Sequence, residues 1–323
     1  MSTRLMLCML SLVSVTLPAP AAAQTYPSKP VRLVVPFAPG GTTDLLARII
    51  AEKMGPALGQ TVVVENKAGA GGAVGAGEVA RSVPDGYTLL MSSVSTMAAN
   101  PAINPATPYD PNKDFAHIIN VAATPNVIAV HTSFPARDYK AFASALSSNP
   151  GKYSFATAGN GSVGHLLGEL YKRSAKVYVI HIPYRGSGPA LNDVVAGQLP
   201  IIVDNLPSAL PFIKDKRLVP IVVAAPVRVA ALPDVPTFAE VGLASVNRMS
   251  FLGVSAPKGT PKAVVDKLNA AIKTALADPT VKERIEATGA IVVASSADEY
   301  QQQISDELAI YKRVVLEQKL QLQ

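Results

Sequence analysis

Apolar residues along this chain come in two alternating kinds of run. The first kind is short and nearly continuous, as in Val31-Arg32-Leu33-Val34-Val35-Pro36-Phe37. A strand buried on both faces of a sheet reads this way, because neither face meets water. The second kind follows a Gly/Pro break: after Pro39-Gly40-Gly41-Thr42-Thr43, the residues Leu45, Leu46, Ile49, Ile50 and Met54 recur at helical spacing. Thr61 to Glu65 and Tyr87 to Met91 read as further strands. Between them, Gly69 to Arg81 is rich in Gly and Ala, which suits a helix packed very close to a sheet.

The pattern then restarts. Tyr153 to Thr157 reads as a strand, followed by a glycine loop and a helix with Val163, Leu166, Leu167, Leu170 and Tyr171 on one face. Val177 to Ile182, Ile201 to Asp204 and Val219 to Val223 continue as strands, and Ala190 to Ala196 as a helix stopped by Gly197. Beyond a strand at Phe251 to Ser255, helices are predicted at Pro261 to Leu276, Thr280 to Thr288 and Asp298 to Gln318. The segments Pro101 to Pro111 and Pro226 to Pro236 read as loops.

Strands alternating with helices predict an α/β protein with parallel sheets covered on both faces. Two starts of the same strand, glycine loop and helix predict two similar lobes. No low-complexity linker separates them, so the chain is expected to cross in short strands, near Val121-Ala122-Ala123 and Val246-Asn247. One lobe is expected to hold residues 24–122 plus 249–323 and the other 123–248. A ligand cleft would lie beyond the carboxyl ends of the strands.

The N-terminus carries a separate signal. Arg4, the apolar run Leu5 to Leu17 and the small residues Ala21-Ala22-Ala23 have the layout of a secretory leader. A membrane span needs roughly 20 apolar residues, and Pro18 and Pro20 end this run sooner. Cleavage after Ala23 would leave 323 − 23 = 300 residues and send the protein to the periplasm. It would also remove Cys8, the only cysteine, and with it any thiol nucleophile, disulfide or cysteine metal site. The formal charge of +6 is scattered without a Lys/Arg block, which argues against a nucleic-acid partner. A mildly positive surface favours anions.

Two loops carry the candidate chemistry. The first is Phe37-Ala38-Pro39-Gly40-Gly41-Thr42-Thr43-Asp44; the second is Thr157-Ala158-Gly159-Asn160-Gly161-Ser162-Val163-Gly164-His165. Each joins a strand to a helix. Glycines there let a ligand approach the backbone, and free N–H groups at a helix start bind anions. The second loop also fits G-x-G-x-x-G, but a dinucleotide site needs an acid near the end of the next strand, and Val179-Ile180-His181-Ile182 has none. There is no P-loop and no G-x-S-x-G elbow. His117, His131, His165 and His181 lack metal-ligand spacing. Catalytic residues, cofactor and metal are therefore all expected to be absent.

The candidate binding set is Phe37, Pro39, Gly40, Gly41, Thr42, Thr43, Asp44, Ser92, Ser93, Thr157, Ala158, Gly159, Asn160, Gly161, Ser162, His165 and Asp204. Several members have two readings. Asp44 either complements the helix dipole or touches a ligand amine or hydroxyl. His165 either supports its loop or contacts ligand. Asp204 ends an apolar strand, where an acid is unusual, and either faces the site or caps the Leu206 to Lys214 helix. Ser92 and Ser93 begin the hydroxyl-rich Ser92-Ser93-Val94-Ser95-Thr96 stretch, which reads equally as a turn. Arg185 reads as a lobe-edge residue before a ligand counter-ion.

The chain resembles the extracytoplasmic solute receptors of tripartite tricarboxylate transporters, the Bug family, over essentially its whole mature length. The likeness rests on Tyr26-Pro27-Ser28-Lys29-Pro30, Pro39-Gly40-Gly41-Thr42-Thr43-Asp44, Val64-Glu65-Asn66-Lys67-Ala68-Gly69-Ala70-Gly71-Gly72 and Pro84-Asp85-Gly86-Tyr87-Thr88-Leu89. It continues through Gly159-Asn160-Gly161-Ser162 with His165, Pro183-Tyr184-Arg185-Gly186 and Leu232-Pro233-Asp234-Val235-Pro236-Thr237. One departure is Asn247-Arg248-Met249-Ser250-Phe251, where many relatives carry a Trp. The resemblance implies a two-lobed type II periplasmic-binding-protein fold with a central ligand cleft that closes like a flytrap. It also implies a ligand carboxylate held by the two glycine loops through backbone groups and ordered water, then passed to a pair of membrane permease subunits. The protein is expected to act as a monomer. A sensor for a two-component system, or an α/β enzyme acting on a carboxylate, is the alternative.

Overall fold

A computed structural model describes residues 26–321. The expected leader at 1–23, with Cys8 and its cleavage point, lies outside the described residues. In chain order the first elements are β1 (Val31–Val35), α1 (Thr42–Leu58), β2 (Val62–Asn66), α2 (Ala73–Ala80) and β3 (Thr88–Ser93). A π-helical segment, Ser95–Ala99, then runs into α3 (Asn100–Ile103), followed by β4 (Phe115–Thr124). Next come β5 (Asn126–His131), α4 (Tyr139–Ser147), β6 (Ser154–Thr157), α5 (Val163–Ala175), β7 (Ile180–Pro183), α6 (Ser187–Val195), β8 (Ile201–Asn205), α7 (Leu206–Lys214) and β9 (Leu218–Ala224). The chain returns with β10 (Ser250–Pro257), α8 (Lys262–Ala277), α9 (Pro279–Glu286), β11 (Ile291–Val292) and α10 (Ala297–Glu317).

These elements form two α/β lobes, each around its own sheet. The first has strand order β11-β4-β10-β3-β1-β2 and the second β7-β6-β8-β5-β9. β1 is buried on both faces, as its unbroken apolar run implies. Val31, Leu33 and Val35 pack with Leu46 and Ile50 of α1 and Leu268 and Ile272 of α8. Val34 turns to the opposite layer, with Ala76 and Val79 of α2 and Ile304 of α10. The small residues of α2 have a steric reason. A Cβ on Gly75 would lie 2.8 Å from the Lys67 carbonyl oxygen and 2.9 Å from Pro36 Cα.

The expectation of parallel sheets needs correction, because both sheets are mixed. β10 runs antiparallel to β3 and β4, and β5 antiparallel to β8 and β9. These are the strands beside the two crossings, so they do not belong to βαβ units and their direction is free of the crossover rule. β4, β5 and α4 did not stand out in the sequence, and the Pro101 to Pro111 loop begins inside α3. The strand expected at Val177 to Ile182 pairs only from Ile180. β4 stays paired with β10 through Thr124, so the outward crossing falls at Pro125. On the return, Asn247 accepts from the Ala225 N–H at 3.1 Å and donates to its carbonyl at 2.8 Å. Among the described residues no helix is long and apolar enough to cross a membrane.

Candidate ligand cleft

The first loop is shaped from behind by Asp44. Its carboxylate accepts from the Gly40 N–H at 3.1 Å, from Asn66 Nδ2 at 2.9 Å and from Arg48 Nε at 3.1 Å. Asn66 Nδ2 also donates to the Phe37 carbonyl at 3.0 Å, so both ends of the loop hang on one knot. Burial pushes the Asp44 carboxyl up, but the hydrogen bonds from Arg48, Asn66 and Gly40 outweigh it and hold the group below the ordinary carboxylate range. The acid thus fixes the loop and does not border the cleft. The start of α1 carries no side-chain cap: Gly41 is its N-cap.

The second loop is braced differently. Ser162 caps α5, accepting from the His165 N–H at 3.2 Å. The Gly161 N–H is directed at His165 Nδ1, 3.2 Å away, and the Gly159 N–H at Thr157 Oγ1, also 3.2 Å away. Thr157 Oγ1 bonds His181 Nε2 at 2.7 Å, and the two imidazoles stack with centroids 4.2 Å apart. Burial lowers His165 to about 4 and His181 to about 3, so the pair is neutral under ordinary conditions. His165 is fully buried and supports its loop.

Between the lobes lies a cavity of about 20 Å³. Of the residues singled out from sequence, Phe37, Gly41, Thr42, Thr43, Ser93, Ala158, Ser162 and Asp204 border it. Pro39, Gly40, Asp44, Ser92, Thr157, Gly159, Asn160, Gly161 and His165 do not. Ser92 turns into the first lobe, bonding Ser255 Oγ and Tyr300 OH at 2.9 Å each. Val94 and Ser95 of the hydroxyl-rich stretch, Val163 and Gly164 of the second loop, and Ser250 and Phe251 of the segment that departs from the family also border the cavity, though the candidate set left them out. Sequence reasoning missed Ser187, Val203 and Asn205, which complete the wall. Arg185 is exposed; its carbonyl accepts from the Ala38 N–H at 3.0 Å across the cleft.

What these residues share is a helix start. The first turn of α1 enters from one lobe, and the starts of α5, α6 and α7 enter from the other. α1, α6 and α7 lack side-chain caps. The positive ends of four helix dipoles therefore converge on one small space, which favours an anion. α7 adds only its dipole, because the Leu206 N–H bonds the Pro125 carbonyl at 2.8 Å, Pro207 has no N–H and the Ser208 N–H bonds Thr42 Oγ1. The lobes touch directly through Thr42 Oγ1 with Ser208 Oγ at 2.9 Å, the Ser208 N–H with Thr42 Oγ1 at 3.1 Å, and the Val163 N–H with Ser95 Oγ at 3.0 Å. A cavity of this size holds about one water, so any organic acid can enter only when the lobes part.

Asp204 is the one charged-type residue of the wall. It accepts from Ser187 Oγ at 2.5 Å and Ser208 Oγ at 2.6 Å. Burial pushes it up to about 6, against the pull of those hydroxyls and the Asn205 N–H. It does not cap α7, whose N-cap is Asn205. With a folded pKa above the unfolded value, the native state binds the extra proton, so Asp204's contribution to stability falls as pH rises from about 4 to about 6. Asp204→Asn is expected to remove that fall, gaining on the order of 3 kcal/mol relative to wild type between pH 4 and pH 7. Urea unfolding at both pH values measures it; parallel pH dependence in the two proteins would contradict the assignment.

The two-lobed α/β architecture with a central cleft is the type II periplasmic-binding-protein fold. The chain belongs to the tripartite tricarboxylate transporter receptor family: residues 46–320 match the family described as "Tripartite tricarboxylate transporter family receptor". It is 36% identical over 300 residues to protein BugT of Bordetella pertussis, covering 93% of this chain and 92% of that one. The solved structure of the periplasmic binding protein BugD is 37% identical, with a TM-score of 0.89 over 92% of this chain and all of that one. MatC from Rhodopseudomonas palustris with bound malate is 36% identical (TM-score 0.87, covering 90% of this chain and 100% of that one). A second R. palustris protein, with adipate, is 32% identical (TM-score 0.87, covering 91% and 98%).

Proposed function

We propose that this chain is a periplasmic solute-binding receptor that captures a small organic carboxylate in the cleft, performs no chemistry on it, and delivers it to a tripartite tricarboxylate-type membrane transporter. The observation that carries this is the convergence of four helix starts from two lobes on one space. Charge-assisted hydrogen bonds from backbone N–H groups hold a carboxylate without a dedicated arginine. Because the donors come from both lobes, the anion stabilises the closed arrangement more than the open one. Relatives with malate and with adipate fit the same chemistry. In this reading residues 24–122 plus 249–323 move against 123–248, residues 1–23 direct export, and the receptor works as a monomer beside its permease subunits.

A thermal-shift screen of carboxylic acids, malate and adipate among them, tests the reading. An acid at a hundred times its dissociation constant should add about 2.7 kcal/mol of stability. Solution scattering should then show a smaller radius of gyration at saturation. A library in which no acid raises the melting temperature would sink the carboxylate assignment, and unchanged scattering would sink closure.

A further inference from the structure

Asp204 stands where a second negative charge has to arrive. Among the described residues it is the only ionisable side chain bordering the cleft, and it is 4% exposed. Only neutral groups face it. α6 offers the Ser187 hydroxyl, α7 the Ser208 hydroxyl, and β5 places Val127 beside it in register. Across the cleft, α1 offers Thr42, whose hydroxyl reaches Ser208. The charged groups on these elements and on α5 are engaged elsewhere. Asp193 of α6 accepts from Tyr184 OH at 2.5 Å, Lys214 of α7 reaches the Ala287 carbonyl, and Asp44 of α1 pairs with Arg48. Glu169 of α5 pairs with Lys172, His165 stacks on His181, and His131 at the end of β5 bonds Ser133.

We propose that Asp204 couples ligand capture to proton uptake: a carboxylate enters this cleft as Asp204 takes one proton from solvent. The proposal rests on the reading of the cleft as a carboxylate site. Two carboxylates sharing a dry site without a cation cannot both stay ionised, and one of them takes a proton. Asp204 is the better holder, because the helix starts favour charge on the ligand. The hydroxyl network accommodates the change. With Asp204 ionised, Ser187 and Ser208 both donate to it, and Thr42 donates to Ser208. With Asp204 neutral, its new proton turns to a ligand oxygen or to a serine oxygen, and the Ser208 hydroxyl turns to the Asn205 carbonyl 3.0 Å away. Burial already raises the group to about 6 in the free protein, so it is ionised above pH 7, and the charge of the arriving acid in the same dry site has to lift it past pH 8 for a whole proton to be taken up.

Calorimetry with malate and with adipate, in buffers of different protonation enthalpy, counts the protons. The measurements run from pH 7 to 8, where Asp204 in the free protein and both carboxyls of either free acid are ionised. About one proton should be taken up per acid bound, and the affinity should weaken about tenfold per pH unit. In Asp204→Asn the uptake and the pH slope should both vanish. Binding without uptake in the wild type would overturn the proposal and leave Asp204 as a charged acceptor for a ligand hydroxyl or ammonium. Uptake that persists in a folded Asp204→Asn variant would place the proton on the acid itself and overturn it equally. If that variant does not fold, the wild-type count and slope decide alone. Neither acid binding at tens of millimolar would instead remove the underlying carboxylate reading, and the proposal with it.

Discussion

Gly188→Ala is expected to stop the lobes from closing while leaving each of them folded. Gly188 is the second residue of α6, and a Cβ there would lie 2.0 Å from the Pro39 carbonyl oxygen and 3.4 Å from Gly40 Cα. Both belong to the facing lobe. Its backbone is outside the left-handed region, so alanine adds no local strain, and within a helix it is favoured over glycine by roughly 0.5–1 kcal/mol. The obstruction therefore exists only in the closed arrangement. The Pro39 carbonyl cannot retreat easily, because Asp44 and Asn66 tie down the loop on either side of it. Affinity for malate or adipate should fall at least about tenfold, equivalent to 1.4 kcal/mol, and scattering should show no contraction. Normal affinity would mean that the bound lobes stand further apart than in this structure. Gly161→Val is a less clean test. A Cβ there would meet Asn100 Nδ2 at 2.7 Å, but the glycine's φ of +77° adds strain to the free protein as well.

How much of this was legible in the sequence follows from how local each feature is. β1 and α5 were readable because burial dictates every position: Val31, Leu33 and Val35 face one layer and Val34 the other. Strand direction was not, since the same residues suit a parallel or an antiparallel neighbour, and β10 and β5 run against the trend. β4 and β5 are separated only by Pro125, so two strands of different sheets read as one crossing. In the cleft, the two glycine loops were visible because each is a short contiguous motif. Ser187, Ser250 and Phe251 reach the same wall from distant parts of the chain, and only topology brings them there. Asp204 was legible as an acid at the end of an apolar strand. Asp44 and Ser92 stood in the candidate set with two readings each, because spacing shows that a polar side chain is present, not which way it turns; both turn inward.

Asp44→Ala should cost roughly 3 kcal/mol of stability at pH 7 and should release the first loop. Asp44 is 5% exposed and its carboxylate gathers three donors, the Gly40 N–H, Asn66 Nδ2 and Arg48 Nε, with Arg48 Nη2 at ion-pair distance, 2.9 Å. Hydrogen bonds to a charged group contribute about 1.5–3 kcal/mol each. Arg48 is half exposed, its side chain 52% accessible, so solvent screens its share and it counts for little. The Gly40 and Asn66 bonds carry most of the loss, because alanine leaves both donors facing a gap. The effect has a pH signature. The folded carboxyl lies below the ordinary range, so its stabilisation is complete above the unfolded pKa of about 3.9 and is lost as pH falls through the folded value. Urea unfolding should show a wide gap between Asp44→Ala and wild type at pH 7 that narrows as the medium is made acid enough to protonate the folded carboxyl. Asp44→Asn, which still accepts from Gly40 or Asn66, should fall between them. Equal stability at pH 7 would show that the loop is held by other contacts, and a gap unchanged in acid would show that the loss is packing and not charge.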